Sequence, residues 1–90
     1  MVELDTTIKN RAGIHARPSA MIAQTAVKFT SRIFLEKAGN RINAKSIMGI
    51  ITLAASYGSK LKIIAEGVDE QAAAETIKAL FDSGFNEELG

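Results

Sequence analysis

The sequence predicts an α/β (α+β) two-layer open-faced sandwich, with antiparallel strands in one sheet and helices on one face only. Three observations predict it. Stretches with a hydrophobic period of two are interleaved with stretches of period 3.6, in the order βαββαβα. The strand-like stretches alternate apolar and polar residues rather than running apolar throughout, so each has one wet face. No linker, internal repeat or low-complexity segment interrupts the 90 residues, so one domain covering 1–90 is expected.

Taken in order, Val2, Leu4, Thr6 and Ile8 alternate with Glu3, Asp5, Thr7 and Lys9, which marks the first strand. Asn10 to Gly13 makes a turn. The period then changes: Ala16, Ala20, Ala23 and Val27 share a helical stripe, with Ile22, Ala26 and Phe29 beside it. Pro18 fits only the first turn of that helix, so the helix begins at His15 or one residue later. Arg32 to Lys37 places Ile33 and Leu35 on one face and Phe34 on the other. Ala38-Gly39-Asn40 is a hairpin turn, and Arg41 to Ala44 a short third strand.

Ser46 precedes Ile47, Met48, Ile50, Ile51, Leu53 and Ala54, a pattern for a short buried helix capped by the serine hydroxyl. Gly58-Ser59 closes that segment, and Lys60 to Glu66 alternates as the fourth strand. Asp69 is placed to cap a last helix whose stripe is Ala73, Ile77, Leu80 and Phe81, with Gly84 just past its end. Asn86 to Gly90 reads as a frayed tail.

Composition excludes several function classes. Eleven basic and ten acidic residues leave a net charge of +1, and there is one tyrosine and no tryptophan. Nucleic-acid binding usually brings a basic excess and stacking aromatics, so it is not expected. The apolar run Ile47 to Ala55 is broken by Gly49 and Thr52 and is too short to cross a bilayer. The N-terminus lacks the basic and apolar regions of a signal peptide. With no cysteine, these features lead to the expectation of a cytoplasmic protein.

The only histidine and the only proline both lie in Asn10-Arg11-Ala12-Gly13-Ile14-His15-Ala16-Arg17-Pro18. A lone histidine is ordinarily a solvated surface residue. A metal site is not expected, because there is no second histidine, no cysteine and no carboxylate cluster, whereas zinc takes about four ligands. No strand-turn-helix serine motif supports a serine triad. The imidazole as nucleophile remains. At a helix N-terminus, free N–H groups and the dipole favour an anion. Arg17 stands two residues on, and Arg11 is within reach from the preceding turn. The helix end acts on one charge by only about 0.3–1 kcal/mol. A free imidazole, titrating at about 6.5, is already mostly neutral at neutral pH. The helix end therefore matters more for a bound phosphoryl group than for activating the ring.

A second segment, Lys45-Ser46-Ile47-Met48-Gly49-Ile50-Ile51, has two readings. Ser46 is a helix cap needing no other role, or a phosphorylation site at a helix N-terminus, where about −1.5 to −2 charges are tolerated by the fold and felt by partners. Met48 and its neighbouring isoleucines are either core or an apolar docking surface. Arg11, Arg41 and Lys45 are by default solvated charges.

Gly13-Ile14-His15-Ala16-Arg17-Pro18 resembles the active-site signature of the HPr family, the histidine-containing phosphocarriers of the bacterial phosphoenolpyruvate:sugar phosphotransferase system. Lys45-Ser46-Ile47-Met48-Gly49 through Leu53 resembles that family's regulatory-serine segment, at the family's usual spacing of about thirty residues. The βαββαβα order is similar over nearly the whole chain. The resemblance implies a sheet of order 1-4-2-3 with three helices on one face. It implies that His15 takes phosphate on Nδ1 from phosphorylated enzyme I and passes it to an enzyme IIA domain. Arg17 would stabilise the phosphate, and Ala16 and Arg17 would offer backbone N–H groups. Ala20, Gln24, Ile47, Met48 and Ile51 would form the docking surface. Ser46 would be the target of HPr kinase/phosphorylase, and phosphate there would hinder docking to enzyme I.

Ile51 stands where many kinase-substrate members carry methionine, and Gln24 where lysine is common in some branches. Both departures bear on partner affinity. Gly49 follows the branch whose serine is regulated. The expectation is a monomeric carrier without cofactor or metal, not a stand-alone enzyme. Two alternatives stand beside it: a purely regulatory partner of a transcriptional regulator, which the His15 motif argues against, and a small acylphosphatase-like hydrolase.

Overall fold

The computed structural model describes all residues, 1–90. The elements are β1 (Val2–Thr7), α1 (Ala16–Ala26), β2 (Arg32–Lys37), β3 (Asn40–Asn43), α2 (Ile47–Thr52), β4 (Lys60–Glu66), α3 (Glu70–Asp82) and a 3-10 turn, Gly84–Asn86. The four strands form one antiparallel sheet of order β1-β4-β2-β3. Register explains the two faces. Leu4 pairs with Ile63 and Ile63 with Leu35, and Leu35 pairs with Ile42. This row faces the helices, because side chains one residue apart on a strand point to opposite sides. The neighbouring row, Asp5-Lys62-Glu36-Arg41, lies on the uncovered face. There Arg41 pairs with Glu36 and its guanidinium sits 5.7 Å from the centre of the Phe34 ring.

The core joins Ile8, Ile33, Leu35, Leu61 and Ile63 of the sheet side to Ile22, Ala23, Ala26, Ile50, Ala73, Ala74, Ile77 and Phe81 of the helices. Of the stripe expected on α1, Ala23 is buried, as are Ile22 and Ala26 beside it, and Pro18 and Ser19 join them on the inner face. Ala16 and Val27 are exposed. The reason is Ser19, whose hydroxyl donates to the His15 carbonyl (2.8 Å) and so enters the core with its polar group satisfied. The β2–β3 turn has two central residues, Ala38 and Gly39, both at positive φ, as a tight hairpin requires. β3 therefore starts at Asn40, one residue before the sequence expectation.

Asp69 occupies the N-cap position of α3, but its side chain does not cap that helix. The carboxylate instead accepts from the Thr30 N–H (3.0 Å), the Ser31 N–H (2.9 Å) and the Ser31 hydroxyl, fastening the loop that leads into β2. The hydroxyl and backbone donors hold its carboxyl down at about 2. A carboxyl held below its unfolded value of about 3.9 stabilises the fold above that pH and loses the contribution as pH falls through the folded value. Urea unfolding between pH 5 and pH 2 should thus show stability falling most steeply between about pH 4 and pH 2. Asp69→Asn should flatten that part of the profile; an unchanged slope would show that the Asp69 contacts do not produce it.

Candidate functional site

Leaving β1, the chain runs through a loop that is tied down at each step. Asn10, fully buried, donates through Nδ2 to the Gly13 carbonyl (2.7 Å). Gly13 has φ +73°, and a Cβ there would stand 2.8 Å from the Ala55 oxygen, so only glycine fits. The same oxygen accepts from the Ile14 N–H (2.9 Å). The loop thus delivers His15 in extended conformation (φ −104°, ψ −167°) as the N-cap of α1.

An N-cap side chain ordinarily accepts from the second or third N–H of its helix. The His15 ring makes no such bond. Pro18 fills the third position and has no N–H, and the Ser19 N–H already closes on the His15 carbonyl (3.1 Å). The first turn therefore leaves two unpaired donors, the N–H groups of Ala16 and Arg17, on exposed residues. No acidic residue lies in that turn.

The imidazole is turned toward the C-terminal segment instead. Its Nε2 lies 2.9 and 3.1 Å from the two carboxylate oxygens of Glu87. Arg17 Nη1 donates to the same carboxylate (2.9 Å) and to the Phe85 carbonyl (3.1 Å). Asn10 Nδ2 supplies a further donor to Glu87 (3.0 Å). Partial burial pushes the Glu87 carboxyl up, but the hydrogen bonds from His15, Asn10 and Arg17 outweigh it and hold the group below the usual glutamate value. Glu87 is thus ionised at neutral pH. His15 keeps Nδ1 free of any hydrogen bond within the chain, and its side chain is 45% exposed.

The tail that carries Glu87 is not frayed. Phe85 is fully buried with its ring edge-on to Phe81 (5.1 Å between centres). Positive φ at Gly84, Phe85 and Asn86 reverses the chain, and the remainder runs back along the loop after β1. Asn10 bridges to Leu89, the Arg11 N–H donates to the Glu88 carbonyl (2.8 Å), and the Gly90 N–H to the Lys9 carbonyl (3.0 Å). Arg11, which from its position in the turn could approach His15, pairs with Glu88 instead (2.8 Å). Sequence reading missed Glu87. The signal for it was Phe85, an aromatic residue beyond the helix end that a frayed tail would leave in water.

The helix α2 is only partly buried. Ile50 is inside, whereas Met48 is 70% exposed, Ile47 40% and Ile51 38%. Six residues are too few to cover all the apolar side chains against one neighbour. Of the α1 residues grouped with them, Gln24 is exposed and Ala20 half-buried, and α1 packs directly on α2. Ser46 caps α2 through its hydroxyl, which accepts from the Gly49 N–H (3.1 Å). Lys45 is not simply solvated: its ammonium donates to the Phe29 carbonyl past the end of α1 (2.8 Å). No cluster of three metal-ligating side chains forms, and no helix is long and apolar enough to cross a membrane. The largest surface depression, lined by Thr7, Glu36, Lys60 and Lys62 among others, shares no residue with the His15 site.

The family model described as the PTS HPr component phosphorylation site matches residues 2–83. The chain belongs to the HPr family. Among its relatives, the phosphocarrier protein HPr of Treponema pallidum is 49% identical, over 98% of this chain and all of that protein. The HPr-like protein Crh of Bacillus subtilis is 47% identical over 88% of this chain and 93% of its own length. A crystal structure of HPr from Thermoanaerobacter tengcongensis superposes with a TM-score of 0.94 at 49% identity, covering 99% of this chain and all of that one. HPr is a phosphocarrier, and the sheet order and helices found here are those of the HPr structures. The relatives are not uniformly monomers: a second Thermoanaerobacter HPr structure and one of Bacillus subtilis Crh are described as dimers. The expectation of a monomer therefore does not carry over from the family.

Because Glu87 stabilises the tail only while ionised, that contribution is present above the ordinary glutamate value of about 4.3 and is lost as pH falls below it. Hydrogen-exchange protection of the Arg11 and Gly90 amides, which bond the tail to the loop, should fall relative to the α3 amides as pH drops from 6 to 3. Equal protection at both pH values would mean that Phe85 alone holds the tail.

Proposed function

We propose that this chain, as one domain spanning 1–90, carries phosphoryl groups on His15, received from phosphorylated enzyme I and passed to an enzyme IIA domain. One observation carries the reading: an exposed imidazole with an unpartnered Nδ1, on the residue that begins α1, followed directly by two unpaired N–H groups. The phosphoryl oxygens would meet the Ala16 and Arg17 N–H groups and the guanidinium of Arg17, whose Nη1 is anchored to the tail while its other donors remain available. In the transfer, Nδ1 forms a bond to phosphorus as the bond to the donor's group breaks, and the reverse occurs on delivery. Nothing in this sequence requires catalysis by the chain alone. Exposure of the histidine favours a partner bringing its own reacting group, as a relay needs, over a pocket enclosing a small substrate.

Membership of the HPr family supports this reading, and the exposed Ile47, Met48 and Ile51 beside Ala20 and Gln24 support a shared docking face. Incubation with labelled phosphoenolpyruvate and enzyme I should give an acid-labile, base-stable label on the protein and none on His15→Ala. Retention of label by His15→Ala, or steady hydrolysis of an acyl phosphate by the protein alone, would overturn the assignment.

The same proposal includes Ser46 as the target of HPr kinase/phosphorylase. Its hydroxyl already lies at the N-terminus of α2, so added phosphate meets backbone donors and the fold tolerates it. The charge would then stand beside exposed Ile47 and Met48 and raise the cost of burying them in a partner. ATP and the kinase should place an acid-stable label on the protein but not on Ser46→Ala, and the labelled form should accept phosphate from enzyme I more slowly, by about tenfold or more. Absence of label would leave Ser46 as a helix cap only.

A further inference from the structure

Glu87 lies beyond residues 2–83 matched by the family model, and the reading of His15 as acceptor does not use it. Yet it is the one carboxylate on the imidazole. A neutral imidazole has one nitrogen that donates and one that accepts. Which is which follows from the bond made by the other nitrogen. Glu87 is held ionised by three donors and presents only acceptors to Nε2, at 2.9 and 3.1 Å. An unprotonated Nε2 facing it would set lone pair against lone pair. The ring proton therefore belongs on Nε2, which leaves the lone pair on Nδ1, where the chain offers no competing partner.

Resting on the phosphocarrier reading, we infer that Glu87 is a positioning residue for His15: it keeps the proton on Nε2, selects Nδ1 as the nucleophile, and stabilises the phosphoimidazolium that results. The neutral ring uses the Nδ1 lone pair to form the N–P bond, while the donor's group leaves with the electrons of its own bond to phosphorus. No proton has to be removed from His15, because Nδ1 carried none. The ring then bears a positive charge with its N–H still on the Glu87 carboxylate. On delivery it departs as neutral imidazole, a far better leaving group than the imidazolate that would depart had the Nε2 proton been lost. Three features fit Glu87 for this task. Phe85 anchors its segment in the core, Asn10 fixes one carboxylate oxygen from a buried position, and Arg17 fixes the other.

The test separates this role from a structural one. Long-range proton–nitrogen correlation spectra of the unphosphorylated protein, recorded with the ring neutral, should show His15 almost wholly as the Nε2–H tautomer. Glu87→Ala should admit the Nδ1–H form and slow transfer from enzyme I by about tenfold. Glu87→Gln keeps an acceptor for Nε2–H without the charge; it should restore the tautomer and lose mainly the onward transfer. An unchanged tautomer ratio in Glu87→Ala, with the fold intact by circular dichroism, overturns the inference, as does faster transfer. Should Glu87→Ala not fold, the Glu87→Gln protein decides alone: onward transfer equal to the parent overturns it. The tautomer measurement needs no phosphate, so it stands or falls separately from the label on His15.

Discussion

A sheet that buries one face only must take all its cover from one side, and most of this molecule follows from that constraint. Three helices share the inner face, packed on the rows led by Leu4, Ile63 and Leu35. With three helices in a single layer over the sheet, helix ends reach the surface. α1 is packed on α2 and α3, with Pro18, Ser19 and Ile22 already buried in its first two turns. Its first residues, His15 to Arg17, consequently stand in solvent, with the backbone N–H groups of Ala16 and Arg17 unpaired. The exposed imidazole is a product of the packing, not an exception to it.

The second consequence concerns how little holds the site together. The pair between Arg17 and Glu87 is half-exposed on the arginine side, and such pairs contribute at most about 1 kcal/mol individually. The larger share of what keeps Glu87 in place is apolar: Phe85, whose full burial contributes roughly 1.5–3 kcal/mol, with the Phe81 ring edge as its neighbour. The electrostatic arrangement around His15 thus depends on hydrophobic burial two residues before the carboxylate. An aromatic ring thus decides where the charge beside His15 sits.

The strands, the start of α1 and the cap of α2 were legible because each is set by local rules: period two, proline's missing N–H, and a serine before an apolar run. The inner face of α1 was legible at Ile22, Ala23 and Ala26 but not at Ser19. Ser19 buries a hydroxyl by bonding one turn back to the His15 carbonyl, and a pattern reader counts it as polar and therefore outward. Asp69 was placed correctly at the head of α3 while its carboxylate went to Thr30 and Ser31, 39 and 38 residues away in sequence, a choice that only tertiary packing reveals. The exposed side of α2 lay between two readings that periodicity cannot separate, because its apolar residues point all round. The tail was misread for a different reason. Glu87 and Glu88 look solvated until Phe85 is recognised as an anchor, and the partners Asn10, His15 and Arg17 lie about seventy residues upstream.

Pro18 has an effect beyond starting the helix. A glycine-rich phosphate loop grips its anion with a run of successive N–H groups; here the proline cuts that run to two. The residue that fixes where α1 begins therefore also fixes how many backbone donors its head presents: two, those of Ala16 and Arg17.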